Sequence, residues 1–334
     1  MRILPVRTPG LSVGVTQSIM SLTSPRSSLP SLECKLIPPF RMHEPETVAD
    51  AVSLLGLHGD DASLYAGGTE LLLAMKEGLL RYGHLVNLKT VSGSDRLDYD
   101  TSSGELHIGP AVTHRALELS PEVAANFPLI TQAESKVANV RVRNVGTLCG
   151  NLCFAEPHSD PATFLLLYNA RAELQGSSGA RTVPVEQLAA GPYETCLEEG
   201  EILTSVSVPQ FGPDMKAAYQ KFGYHQRPTI GLGVAVRLEN DAVAEARIAV
   251  GSVGPKALRV PEAEELFLGK TVPDILSPGA SVLDEAGRLA AEAAQPMDDL
   301  HGAADYKEHL VRVLLERVFA EAVGAAPTAQ RSAA

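Results

Sequence analysis

The chain has 334 residues, 45% of them hydrophobic, with 28 basic and 40 acidic side chains and a net charge of −12. That length supports more than one packed core. The negative balance argues against a nucleic-acid or anionic-membrane surface, since both need basic side chains to neutralise phosphate, and no apolar run reaches the ~18 residues that span a bilayer.

Residues 1–32 hold Arg2, Arg7 and Arg26, ten Ser or Thr, and no acid. The composition overlaps a transit peptide but lacks an amphipathic period. Residues 1–34 therefore read as a disordered extension, or as sequence upstream of the true start. The packed chain is expected from Lys35. Glu46–Thr47 opens a helix with apolar residues at Val48, Ala51, Val52, Leu54 and Leu55. "ASLYAGG" reads as a short strand ending in glycine, "TELLLAMKEG" as a helix that Thr69 can cap and Gly78 ends, and "HLVNL" as a second strand. Strand, helix and strand in about thirty residues make a βαβ unit, so residues 35–90 form one subdomain.

From residue 91 to 210 short strands alternate with helices. "RLDYD", "ELHIGPAVT", "ARAELQG", "RTVPVEQL" and "EILTSVSVP" read as strands; "THRALELS", "PLITQAESKVA" and "PATFLLLYNA" read as helices. The mixture makes the fold class α+β rather than doubly wound. Gly and Pro in "QFGPDMK" mark a boundary. A second domain over 216–323 follows, with three antiparallel strands ("AAYQKFG", "IGLGVAVRLE", "EARIAVGSVG") and three helical segments. Residues 324–334 read as a disordered tail.

Four cysteines, Cys34, Cys149, Cys153 and Cys196, form no CxxC pair. They suit neither a zinc site nor a four-thiolate cluster, and no iron is expected in this chain. A disulfide scaffold does not suit a chain of this length, which points to a reducing, cytoplasmic setting. His107, His114, His158, His225, His301 and His309 share no metal-ligand spacing.

Two glycine segments carry the functional signal. In "YAGGTELL", Gly67–Gly68 between strand and helix let the backbone turn tightly and a ligand approach, and the helix start favours an anion. Thr69 can donate to a phosphate oxygen or cap the helix. The segment is neither G-x-G-x-x-G nor G-x-x-x-x-G-K-[ST], so it is neither a Rossmann nor a P-loop turn. In "NVGTLCGNLCFAEPHSD", Gly146–Thr147 and Gly150–Asn151 form a second loop, and Asp160 can cap the next helix or accept from a ribose hydroxyl. Two anion-type loops in one domain suit a dinucleotide held from two sides.

These residues resemble a known family. "LYAGGTELL" followed by "VRNVGTLCGNLCFAEPHSDP" is similar to the paired cofactor loops of the FAD-binding medium subunits of molybdenum hydroxylases, the xanthine dehydrogenase, carbon-monoxide dehydrogenase and 4-hydroxybenzoyl-CoA reductase group. The second segment matches at Arg143, Asn144, Gly146, Thr147, Gly150, Asn151, Ala155, Pro157 and Asp160, and the resemblance runs from about Lys35 to about Ala322. It departs at Cys149, where the family usually has glycine and where the backbone must then be αR or β. It also lacks the cysteine-rich insertion of the aryl-CoA reductases.

The resemblance implies a two-part FAD-binding domain of the vanillyl-alcohol-oxidase/MurB (PCMH) type. Leu64, Tyr65, Ala66, Gly67, Gly68, Thr69, Glu70 and Leu71 would wrap the FAD diphosphate. Thr147, Leu148, Cys149, Gly150 and Asn151 would form the facing wall. Asp160, Leu203, Lys221 and Thr113 would make further contacts, with the Lys221 cation raising the flavin potential. The implied partners are a small chain with two [2Fe–2S] clusters and a large chain with the molybdenum cofactor, as a dimer of heterotrimers. Electrons would leave through FAD to NAD⁺, a quinone or oxygen. A stand-alone flavin oxidase or dehydrogenase and a flavin-free assembly protein are the alternatives.

Overall fold

The computed structural model describes residues 36–223, 227–277 and 280–325. The expectations for residues 1–34, for His225 and for residues 326–334 lie outside them.

The first unit is a parallel three-stranded sheet in the order Arg41–His43, His84–Asn87, Ala62–Tyr65. The helix Val48–His58 starts at Thr47, whose hydroxyl accepts from the Asp50 N–H while the Asp50 carboxylate accepts from the Thr47 N–H. This reciprocal cap satisfies two otherwise orphaned donors. Ala51 then packs on Val86 and Leu88. The helix Leu71–Lys76 joins Ala62–Tyr65 to His84–Asn87, so the expected βαβ unit is present, and Gly78 follows that helix with φ +77°.

The second unit is an antiparallel sheet in the order Leu97–Asp100, Glu105–Ile108, Ile202–Pro209, Arg171–Gly176, Gly179–Pro184. The segment "RTVPVEQL" is strand only to Pro184; Val185–Leu188 is helical. The helix Asp160–Leu167 buries all its residues except Ala162. It is covered on several sides, packing against the helix Pro128–Glu134 and the strands Ile230–Glu239 and Ala242–Gly251. Phe164, Leu165 and Leu167 are fully buried, each contributing about 2 kcal/mol.

The third unit corrects the expected three-stranded sheet. Four strands run antiparallel: Met215–Phe222, Ile230–Glu239, Ala242–Gly251 and Leu258–Arg259. The added strand has two residues, too few to show an alternation. Along Ile230–Glu239 the side chains alternate between faces. Ile230, Leu232, Val234 and Val236 pack under the helices Ser281–Ala294 and Ala304–Val323. Ala235 faces the other core, beside Leu167. A methyl group at Gly233 would stand 2.7 Å from Leu167 Cδ1, so glycine is what lets this strand approach the central helix.

Candidate cofactor site

The first glycine turn rests on Tyr65. Gly68 has φ +70°, and a methyl group there would meet the Tyr65 ring edge at 2.5 Å. The ring is fixed in turn by the Lys89 ammonium, 4.6 Å from its centroid. Thr69 does not cap the following helix. That position belongs to Glu70, whose side chain makes no capping bond, and the Leu72 N–H donates to the Gly68 carbonyl. The turn tightens one residue later than the sequence suggests, which leaves Thr69 on the site wall.

The second glycine segment is mostly helical, contrary to the loop expected. Helix Val140–Val145 leads through Gly146 into helix Leu148–Phe154. Thr147 caps the latter, its Oγ1 accepting from the Gly150 N–H at 3.0 Å. Leu148 and Leu152, four apart, bury one face. The Asn151 N–H donates to the Thr147 carbonyl and the Leu148 N–H to the Val112 carbonyl. This segment therefore offers a shaped surface rather than a row of N–H donors. Cys149 sits inside the helix, so its side chain is tolerated where a loop would have demanded glycine. Its buried thiol donates to the Ile108 and Gly109 carbonyls at 3.6 Å, and burial pushes its pKa well up.

Asp160 is not the N-cap of its helix. Ser159 is, accepting from the Ala162 N–H at 3.1 Å. The Asp160 carboxylate is 4% exposed and accepts from Tyr219 Oη and from Lys221 Nζ, both at 2.7 Å. Burial raises its pKa, against the pull of Lys221 and Tyr219. Lys221 thus answers a buried carboxylate, and its charge is offset there. Thr113 caps the helix His114–Leu119 and bridges to Thr147 backbone. Leu203 is buried on the strand Ile202–Pro209 beside a register shift.

One cavity of about 1230 Å³ collects these residues. Leu64, Ala66, Gly67, Gly68, Thr69, Glu70, Leu71, Thr147, Cys149, Gly150, Asn151, Asp160 and Leu203 line it. Tyr65, Thr113, Leu148 and Lys221 do not line it. The volume exceeds the roughly 300–1,000 Å³ of pockets for small ligands. The two glycine segments meet directly, because a methyl group at Gly67 would stand 2.6 Å from Gly146 Cα. Gly67, Gly68 and Gly150 leave part of the cavity wall without side chains.

Sequence reasoning missed the polar tie across the site. Arg227 donates to both Glu70 oxygens at 2.9 and 3.0 Å and to Glu156 Oε2 at 2.7 Å. Tyr193 Oη donates to the same Glu156 oxygen at 2.6 Å. Burial disfavours the Glu156 carboxylate, yet the His158 and Tyr193 hydrogen bonds and the Arg227 charge outweigh it and hold its pKa at about 2. His158 bridges Glu156 Oε1 at 2.8 Å and Asp299 Oδ2 at 3.0 Å. The fully buried Lys307 donates to that Asp299 oxygen at 2.6 Å. On the cavity wall His114 pairs with buried Glu134 at 2.8 Å. No sequence signal joins Arg227 to a partner 157 residues away.

Residues 38–211 match the family described as FAD binding domain in molybdopterin dehydrogenase, and residues 225–322 match the CO dehydrogenase flavoprotein C-terminal domain. The chain is 34% identical over 289 residues to the carbon monoxide dehydrogenase medium chain of Hydrogenophaga pseudoflava, covering 84% of this chain and 96% of that one. It is 33% identical to the nicotine 6-hydroxylase medium subunit of Paenarthrobacter nicotinovorans, with 86% and 98% covered. Its fold superposes on a chain of the Hydrogenophaga pseudoflava carbon monoxide dehydrogenase structure that lacks the Mo-pyranopterin moiety of the molybdenum cofactor. The TM-score is 0.81 at 32% identity, over 86% of this chain and 99% of that one. With an FAD-binding domain matched over half its length, relatives that are oxidoreductase subunits, and a shared fold, the chain belongs to the FAD-binding medium-subunit family of the molybdenum hydroxylases.

Proposed function

We propose that this chain is the flavoprotein subunit of a molybdenum hydroxylase complex, passing electrons from the [2Fe–2S] clusters of a small partner through FAD to NAD⁺, a quinone or oxygen. The substrate would be oxidised at the molybdenum cofactor of a large partner, in a cytoplasmic dimer of heterotrimers. The reading treats residues 35–210 as a PCMH-type FAD-binding domain and 216–323 as the smaller domain that follows it in medium subunits.

The observation that carries it is that Gly67, which lines the cavity, lies against Gly146, so that residues of both glycine segments, Gly67 and Gly68 from one and Thr147 and Gly150 from the other, line one cavity. Ala66 to Glu70 would hold the diphosphate, where side chains are smallest. Thr147, Gly150 and Asn151 would close the opposite side. Asp160, fixed by Tyr219 and Lys221, would present a polar edge without moving. Arg227 places a cation on the wall beside Glu70 and ties the first turn to Glu156. His114, held by Glu134, presents a fixed imidazole at the wall. Bound FAD would supply the redox chemistry, accepting electrons singly and releasing them singly or in pairs.

The test is an absorption spectrum of the chain purified from its own host with whatever accompanies it. Flavin bands, an iron–sulfur shoulder and two further chains are expected. Flavin with a single chain would favour a stand-alone flavoenzyme, and a complex without flavin would overturn the cofactor assignment.

A further inference from the structure

His43, His58 and His84 converge on one face of the parallel sheet, with a ring nitrogen of each within 4.8 Å of the other two. They come from three elements. His43 ends the strand Arg41–His43, His58 ends the helix Val48–His58, and His84 begins the strand His84–Asn87. Parallel pairing sets Arg41 opposite His84 and His43 opposite Val86, so the two histidines sit diagonally on one face. His43 Nε2 and His84 Nδ1 are 2.8 Å apart, and the His58 and His84 rings stack with centroids 3.7 Å apart. All three side chains are half-buried. Three imidazoles gathered without a carboxylate between them are a costly arrangement for solvation alone. They are a usual one for a borderline transition metal.

A carboxylate stands behind them. Asp61 Oδ2 lies 4.0 Å from His84 Nε2, the nitrogen turned away from His43. The Gly83 N–H donates to Asp61 Oδ1 at 2.8 Å and fixes it. A methyl group at residue 83 would come within 2.5 Å of Asp61 Oδ2, so glycine there makes room for the carboxylate. A small shift that brought the Asp61 carboxylate within hydrogen-bond reach of His84 Nε2 would complete the carboxylate–imidazole–ion arrangement by which proteins orient a metal-bound histidine.

We propose that His43, His58 and His84 form a transition-metal site, with His43 Nε2 and His84 Nδ1 among the ligand atoms, a ring nitrogen of His58 as the third, and Asp61 positioning His84. Zn²⁺ fits the donor set, with water completing the coordination. An ion about 2.1 Å from each nitrogen sets neighbouring nitrogens about 3.4 Å apart. The His43–His84 pair must open slightly, and the stacked His58 ring must tilt off His84. His58 can do so as the last residue of its helix. Gly59, Asp60, Ala62, Arg81 and Tyr82, flanking the ligands in the chain, line the large cavity. The ion would thus clamp three elements behind one end of that wall.

The test is equilibrium dialysis of the untagged, full-length, chelator-washed chain against buffered Zn²⁺, with bound zinc counted by mass spectrometry. The wild-type chain should bind one Zn²⁺ more than H43A, H58A or H84A, each weakened at least about 100-fold, while D61N weakens the same site about tenfold. Because the ligands are half-exposed, the alanine variants should keep the wild-type circular dichroism. Wild-type and alanine isotherms that coincide, or zinc that survives all three substitutions, would overturn the site.

Discussion

Gly67 and Gly146 touch backbone to backbone, and a methyl group on Gly67 would lie 2.6 Å from Gly146 Cα and against the Val145 carbonyl. Neither neighbour is a side chain that can swing away. Gly67→Ala should therefore cost about 1–3 kcal/mol through overpacking and part the two segments, lowering the flavin content of the purified chain. Gly56→Ala is the contrast: Gly56 lies inside the helix Val48–His58 with no atom near its missing methyl. It should gain about 0.5–1 kcal/mol with flavin unchanged. Chemical denaturation and the flavin-to-protein ratio read both, and an unperturbed Gly67→Ala would show that the contact does not shape the site.

The Asp160–Lys221 pair should behave as a buried ion pair. Lys221→Met strands the Asp160 carboxylate with only the Tyr219 hydroxyl. The expected loss is about 3 kcal/mol. The double variant Asp160→Asn, Lys221→Met should recover part of it, since no buried charge is then left alone. A urea midpoint for Lys221→Met equal to the wild type would show that the pair contributes nothing.

Acid should act through Glu156. Its folded pKa, about 2, lies below the ordinary 4.5. A depressed carboxyl pKa contributes stability that is complete above the unfolded value and is lost as pH falls toward the folded one. The wild-type melting temperature should fall between about pH 5 and about pH 2, and Glu156→Gln should flatten part of that limb. Parallel curves for the two proteins would refute the assignment.

Much of this was legible in the chain. The Gly67–Gly68 turn, the βαβ unit and a helix opening at Glu46–Thr47 follow from local residues. The helix Leu148–Phe154 was not, because two glycines within and beside it resemble a loop. Its helicity depends on the Thr147 cap and on burying Leu148 and Leu152. The charged tie at Arg227 was hidden for another reason. The histidine of "YHQRP" is the more conspicuous residue, while the partners of its arginine, Glu70 and Glu156, are distant in sequence. The resemblance alone singles out Lys221, and the carboxylate that meets it, Asp160, lies 61 residues away, beyond the reach of any local sequence signal.

Cys149 should be chemically silent. It is 2% exposed, and burial keeps the thiol protonated far above neutral pH. Cys153, on the cavity wall, is also pushed up by burial, to about 11. Native alkylation at about pH 8 should leave Cys149 unmodified until the chain unfolds, because thiolate is the reacting form. Cys149→Gly should cost about 1 kcal/mol as a glycine in a helix. Peptide mapping that finds Cys149 labelled in the folded chain would contradict its placement.

Lys307, Asp299, His158, Glu156, Arg227 and Glu70 form an unbroken succession of polar contacts from the last helix to the first glycine turn. The two family domains matched along the sequence are therefore not interchangeable parts. A chimera that took its first 211 residues from this chain would bring Glu70, Glu156 and His158 and would depend on its second part for residues that match Arg227, Asp299 and Lys307. Swapping modules between relatives would succeed only where those six positions travel together.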